Sequence, residues 1–103
     1  MPRLPGLASL HVLQALARGV EYGFDICTET ALASGTVYPA LSRFERDGHV
    51  RSFWEDAAKA HREGRPPRRY YRITAEGRRA LDTMLADLGV GAPRRPRPAR
   101  ARS

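Results

Sequence analysis

Residues 34–48 read SGTVYPALSRFERDG, and this stretch decides the predicted fold. Three apolar residues recur at helical spacing and predict one buried helix face. These residues are Val37, Leu41 and Phe44. Ser34 is a favourable N-cap for a helix from Gly35 to Asp47, and Gly48 is a typical residue after a helix end. The stretch therefore predicts an amphipathic helix whose other face is exposed.

Two further helices are predicted before this stretch. Apolar residues at helical spacing indicate a helix over residues 7–18, and Gly19 ends it. A shorter helix is predicted over residues 22–31. The connection Ala31–Ser34 has the length of the tight turn in a helix-turn-helix.

A β-hairpin and a last helix are predicted after it. Residues 49–55 alternate as a strand, residues 57–67 form a polar, basic loop, and residues 68–73 form the returning strand. Thr74 caps a helix over residues 75–88. The fold class is thus α+β and mostly helical: a winged helix-turn-helix with a C-terminal dimerisation helix.

Three regions are predicted along the chain. Residues 1–73 form the winged helix-turn-helix domain, and residues 74–89 form the dimerisation helix. Residues 90–103 are rich in Pro and Arg without periodicity, which predicts a disordered tail.

The net charge of +7 is concentrated in two short blocks. Residues 59–72 contain six basic residues and one acidic residue, and residues 89–103 contain five arginines and no acid. Such basic patches are typical of proteins that bind a polyanion, and double-stranded DNA is the predicted partner. The alternative is that the charge serves solubility only.

The candidate DNA-contacting residues lie on the third helix and in the hairpin, which is the wing of the fold. An outward helix face can contact base edges and phosphates in the major groove, and a basic hairpin loop suits the DNA backbone or minor groove. The helix residues are Ser34, Gly35, Thr36, Tyr38, Pro39, Ser42, Arg43 and Arg46. The wing residues are Lys59, Arg62, Arg65 and Arg68. Both sets could instead be merely solvated. Pro39 breaks the helical rules without an evident packing gain, which is typical of a functional residue that shapes the helix start for docking; the alternative is a tolerated bend near the helix terminus.

Apolar residues remain that a small domain cannot cover alone, and they predict a homodimer. The stripe on the last helix is Leu81, Met84, Leu85 and Leu88, and the first helix adds Leu10 and Leu13.

Nothing in the sequence predicts catalysis, a metal site or a cofactor. The three histidines are scattered, and no Cys/His pair has metal-ligand spacing. Cys27 is the single cysteine, which excludes an internal disulfide. Trp54, the single tryptophan, is expected to pack on the hairpin. No apolar run approaches the roughly 18 residues of a membrane span, so a soluble cytoplasmic protein is expected.

Three ordered motifs resemble the PadR family of bacterial transcriptional regulators. They are Tyr22-Gly23-Phe24, Ser34 to Gly48, and Arg69 to Gly77. The resemblance covers residues 7–88 and implies a homodimer that binds a partly palindromic operator, usually as a repressor. A single helix after the wing places the chain with the short type of this family. In short relatives, aromatic residues on this helix help to build a pocket for a flat molecule. This helix has none, so the resemblance does not imply such a pocket here, and any small-molecule effector is unidentified.

Two other functions remain open from the sequence. One is a dimeric module that senses a small molecule at its interface. The other is a basic protein that binds nucleic acid without sequence preference.

Overall fold

The computed structural model describes residues 6–89, in which the chain forms five helices and two strands. In chain order they are α1 (Leu7–Ala17), α2 (Gly23–Thr30), α3 (Ser34–Arg46), β1 (Val50–Trp54), α4 (Ala57–Arg62), β2 (Arg69–Ile73) and α5 (Ala75–Asp87). The predicted winged helix-turn-helix is confirmed by this order and by the antiparallel pairing of β1 with β2. The predicted disordered tail, residues 90–103, lies outside the described residues.

The core is built around α1, which packs against α2, α3, β2 and α5. The predicted stripe of α3 is buried there, joined by Ala40. Leu10 and Leu13, which were predicted to meet a second chain, are also in this core. Leu13 is fully buried, so it has no surface left for a partner. α1 uses both of its apolar sides within its own domain because four elements surround it.

The turn between α2 and α3 is held by backbone geometry rather than by a side-chain cap. Ala31 adopts a left-handed conformation, with φ of 60°, and ends α2. The backbone N–H groups of Thr36 and Val37 donate to the carbonyl of Ala33. The prediction that Ser34 caps α3 is therefore wrong. Ser34 is the first helical residue, and Ala33 is the N-cap without a side-chain hydrogen bond.

The sheet is a two-stranded hairpin, and one isolated β-bridge extends it. Val50 lies opposite Ile73 at one end, and Trp54 lies opposite Arg69 at the other. On the free edge of β2, Tyr22 forms a single antiparallel bridge with Tyr70. This bridge ties the start of α2 to the wing, which we define as residues 50–73.

The predicted basic loop of the wing contains a helix, so its description as a loop is wrong for residues 57–62. The segment AAKAHR consists mainly of good helix formers, and the Asp56 carboxylate accepts a hydrogen bond from the N–H of Ala58. Ala60 is fully buried. The wing is therefore an ordered unit.

α5 is fixed to the turn between α3 and β1. The Thr74 hydroxyl accepts from the N–H of Gly77 and donates to the carbonyl of Gly48. A Cβ on Gly77 would collide with the backbone carbonyl of His49. Glycine is thus required here because helix and turn backbones approach closely.

Candidate nucleic-acid interface

All eight residues predicted to contact DNA from α3 are exposed on one side of the helix. The centre of that side is formed by Gly35, Pro39, Ser42 and Arg46, opposite the buried stripe. Three of these four residues have small or compact side chains. The helix backbone can therefore approach a groove wall closely, and Arg46 provides a long donor at the end of the row.

Pro39 is accommodated without ending the helix, because α3 continues through it to Arg46. Proline has no N–H, so the carbonyl of Gly35 lacks its usual helical hydrogen bond. That carbonyl lies in the exposed first turn. Pro39 therefore leaves the backbone carbonyl of Gly35 as a hydrogen-bond acceptor on the exposed face of α3.

Tyr38 lies on the flank of this face that borders α2, and it is 40% exposed. Its ring covers the backbone of Gly23, where a Cβ would come within 2.6 Å of the ring carbon Cε1. Burial raises the pKa of the Tyr38 hydroxyl above its usual range. Gly23 and Tyr38 stand in two separate motifs of the sequence, and the fold brings them into contact.

Arg43 lies on the opposite flank with Thr36. Its guanidinium donates to the hydroxyl of Ser9 on α1, with a distance of 3.0 Å between Nη2 and Oγ. This bond anchors an exposed arginine to the rigid core. Among residues 6–89, Arg46 contacts only the carboxylate of Asp47, at 3.6 Å and in an exposed position, so these residues leave most of its hydrogen-bonding capacity available.

The wing is organised around the carboxylate of Glu55, whose side chain is only 3% exposed. Arg65 donates to both carboxylate oxygens, at 2.7 and 2.8 Å, and the backbone N–H of Arg68 donates at 2.9 Å. The Arg65 hydrogen bond lowers the pKa of Glu55 to about 2. Arg65 also pairs with Glu63. Its charge is therefore balanced inside the wing, which leaves it little capacity for DNA.

The other three predicted wing residues differ in what their side chains meet. Lys59 forms ion pairs with Glu55 and Glu63. The guanidinium of Arg68 lies 4.5 Å from the ring centre of Tyr22. Arg62 is exposed and has no ion-pair partner within residues 6–89. The wing therefore presents fewer available cations than its sequence suggests.

Four residues form a cluster where α3 meets the wing: Glu45, Ser52, Trp54 and Arg69. Ser52 donates to Glu45 at 2.6 Å, and Arg69 donates to Ser52 at 2.8 Å and to Glu45 at 3.3 Å. Trp54 is 65% exposed, and the part of its ring that is covered lies against its cross-strand neighbour Arg69, whose guanidinium is 5.7 Å from the ring centre. The strand extends beyond the core at this end. Strand alternation placed Ser52 and Trp54 on one face, but the sequence could not give the contact of Ser52 with Glu45 on α3.

Other kinds of site find no support in the part of the chain that the structure describes. No group of three or more His, Cys, Asp or Glu within residues 6–89 could hold a metal ion. No helix in that range is long and apolar enough to cross a membrane.

Comparisons with known proteins agree with this architecture. The model of the transcriptional regulator PadR-like family matches residues 12–83. A solved PadR-like transcription factor from Bacteroides fragilis is 27% identical with a TM-score of 0.67, and the match covers 82% of each chain. A solved PadR family transcriptional regulator from Eggerthella lenta is 30% identical with a TM-score of 0.61, over 77% of this chain and 71% of that one. A comparison with curated proteins gives no match. A family model that spans most of the chain, together with an exposed recognition helix beside an ordered wing, shows that this protein belongs to the PadR-like family of transcriptional regulators.

Proposed function

We propose that this chain is a homodimeric repressor that binds a partly palindromic operator in double-stranded DNA. The observation that carries the proposal is the row of small residues along the exposed side of α3, next to a basic wing. Membership in a family of transcriptional regulators supports a DNA-binding role. Such a protein acts where the chromosome is, so a cytoplasmic location is part of the proposal.

α3 is proposed to enter the major groove. Gly35, Pro39 and Ser42 allow close approach, and Arg46 can donate two parallel hydrogen bonds to a guanine. The backbone N–H groups of Ser34 and Gly35, in the first turn, receive no side-chain cap and can donate to a phosphate. Tyr38 and Arg43, each fixed to the domain by a contact of its own, border the groove on the two flanks.

The wing is proposed to contact the phosphate backbone. Arg62 and Arg68 are its best candidates, because Arg65 and Lys59 are occupied by acidic partners. Contacts of this kind add affinity for any sequence and make binding salt-dependent.

The dimer is proposed to close through α5. Leu81 is buried against the core, whereas Met84 and Leu85 are only partly buried and Leu88 is exposed. Leu7 at the start of α1 is exposed as well. Burying this apolar surface in a two-fold dimer stabilises each chain by about 25 cal/mol per Å². It also allows two recognition helices to enter major grooves about 34 Å apart.

The proposal predicts that Arg46→Ala lowers affinity for the specific site more than affinity for random DNA. One lost base contact costs about 1–3 kcal/mol, so specific affinity should fall about 5- to 150-fold. The measurement is competition binding on DNA from upstream of the protein's own gene against a mixed-sequence duplex. Arg78→Ala is the matched control, because it removes one exposed arginine from α5.

Equal losses on both duplexes would mean that Arg46 contacts phosphate only.

Sedimentation of the wild type and of Leu85→Glu tests the dimer. A wild-type monomer at micromolar concentration would overturn both the dimer and the palindromic site.

A further inference from the structure

Ser9 is a polar residue in a buried position of α1. Its neighbours Leu10, Val12 and Leu13 belong to the apolar core, and Ser9 itself is only 8% exposed. A buried hydroxyl is unfavourable unless it forms a hydrogen bond, and alanine has a higher helix propensity than serine. Core packing alone would therefore favour alanine at this position.

The hydrogen-bond partner of Ser9 lies on the recognition helix, 34 residues away in the sequence. Nη2 of Arg43 donates to Oγ of Ser9 at a distance of 3.0 Å. Arg43 is exposed on the flank of α3. The bond therefore connects an exposed cation of the candidate interface to a buried position of the core helix.

Ser9 restrains Arg43 without neutralising its charge. A guanidinium has five N–H donors, and this bond uses one of them. Within residues 6–89 Arg43 has no ion pair, whereas Arg65 in the wing is paired with two carboxylates. A hydroxyl acceptor thus fixes the direction of the Arg43 side chain and leaves its charge and its other donors available to a ligand.

This restraint favours base recognition over phosphate contact. Bidentate binding to O6 and N7 of guanine requires the guanidinium to lie in the plane of the base, whereas phosphate contacts carry no sequence information. An unrestrained arginine loses side-chain entropy when DNA orders it, and a restrained one has already lost much of it. The Ser9 bond therefore strengthens binding where the orientation of the guanidinium matters.

We infer that Ser9 is a positioning residue for Arg43, and that this pair sets the preference for guanine at one base pair of the operator. The inference rests on the proposed function, because it requires α3 to enter the major groove. Ser9 is buried and acts only through the guanidinium that it restrains. The basic patches do not indicate such a residue, since it is uncharged and lies on another helix.

The first test uses the free protein and needs no DNA. Relaxation of ¹⁵N at Nε of Arg43 in the full chain measures how far this side chain is restrained. We expect a lower order parameter in Ser9→Ala than in the wild type. Arg78, exposed on α5, gives the reference value for an arginine on the surface. Equal order parameters of Arg43 in the two proteins would overturn the inference.

The second test measures base preference by competition anisotropy. The probes are a duplex from upstream of the protein's own gene and a set in which one base pair at a time is changed. We expect Arg43→Ala to lose discrimination at one G·C pair. Ser9→Ala should lower discrimination at the same pair about 2- to 10-fold, the value of one hydrogen bond, with affinity for a mixed-sequence duplex unchanged. His11→Ala is the matched control, because it removes an exposed polar side chain from α1.

A double variant separates positioning from packing. If Ser9 acts only through Arg43, Ser9→Ala has no further effect on any duplex in the Arg43→Ala background. A further loss in that background would show that Ser9 supports the packing of α1 on α3, which overturns the inference. Ser9→Ala is expected to remain folded because alanine is the best helix former, and thermal melts check this.

The remaining outcomes distinguish this inference from the proposed function. If Ser9→Ala keeps the full base preference that Arg43→Ala loses, Ser9 does not position Arg43 and the DNA-binding function stands. If Arg43→Ala weakens binding to every duplex equally, Arg43 contacts phosphate only, which also overturns the inference alone. If the wild type prefers no duplex over the mixed sequence, the proposed function fails and the inference fails with it.

Discussion

The recognition helix and the wing are both candidate DNA-contacting regions, but they are held in place by different forces. α3 is fixed by the burial of Val37, Leu41 and Phe44 in the core. The wing is fixed by ion pairs and hydrogen bonds, with Glu55 and Arg65 at their centre. The comparison teaches that basic residues in a sequence are not equivalent to available positive charge. The charge of Arg65, for example, is already balanced by the carboxylates of Glu55 and Glu63.

This difference also separates the conditions that disturb each region. Apolar burial does not depend on protonation, and it is little affected by moderate salt. Ion pairs respond to both. We therefore expect pH and salt to change the wing before they change α3.

The largest expected effect is on α3. Leu41→Ala removes a fully buried side chain from its stripe and should lower the free energy of unfolding by about 2–5 kcal/mol. Chemical denaturation followed by circular dichroism measures this loss. Ser42→Ala is the control, because the neighbouring side chain is exposed. A loss for Leu41→Ala below that of a surface substitution would show that core packing does not position α3.

A smaller effect is expected on the wing in acid. The pKa of Glu55 is lowered from 4.5 to about 2 by Arg65, so its carboxylate stays charged in the folded chain after the unfolded chain has taken up a proton. The stabilisation is therefore complete above pH 4.5 and is lost as the pH falls towards 2. The protection factors of the amides in residues 55–68 should fall over this range before those of α3.

Glu55→Gln separates this effect from general acid denaturation. It should already show faster exchange in the wing at neutral pH and should lack the additional change below pH 4.5. Equal acid sensitivity of the variant and the wild type would contradict the role of this carboxylate.

The smallest expected effect compares two arginines of the wing. Arg62→Ala removes an exposed cation and should reduce the slope of log K against log salt by up to about 0.9, with wing amide exchange unchanged. Arg65→Ala removes the same formal charge but should quicken wing exchange, because it leaves Glu55 without its partner. Salt-dependent anisotropy and amide exchange on both variants make the comparison. Identical effects of the two variants would show that the ion pairs of Arg65 do not reduce its contribution to DNA binding.

Local pattern was sufficient for much of the fold. The stripe of α3, the Thr74 cap and the two strands were predictable because each depends on residues that are close together in the sequence. The helix in the wing was missed, although Asp56 and the alanines that follow it were a visible cue. The loop prediction rests on the basic character of the segment, whereas its helix propensity decides its structure.

The sequence by itself determined the order of the elements apart from α4, the exposed face of α3 and the resemblance to a family, since periodicity and short motifs are local properties. Only the tertiary structure decided which side chains remain available. It placed Leu10 and Leu13 in the core, paired Arg65 with Glu55, and left Trp54 exposed beside α3. These outcomes depend on contacts between segments that are distant in the chain, and the energy of such a contact depends on a geometry that no local pattern contains.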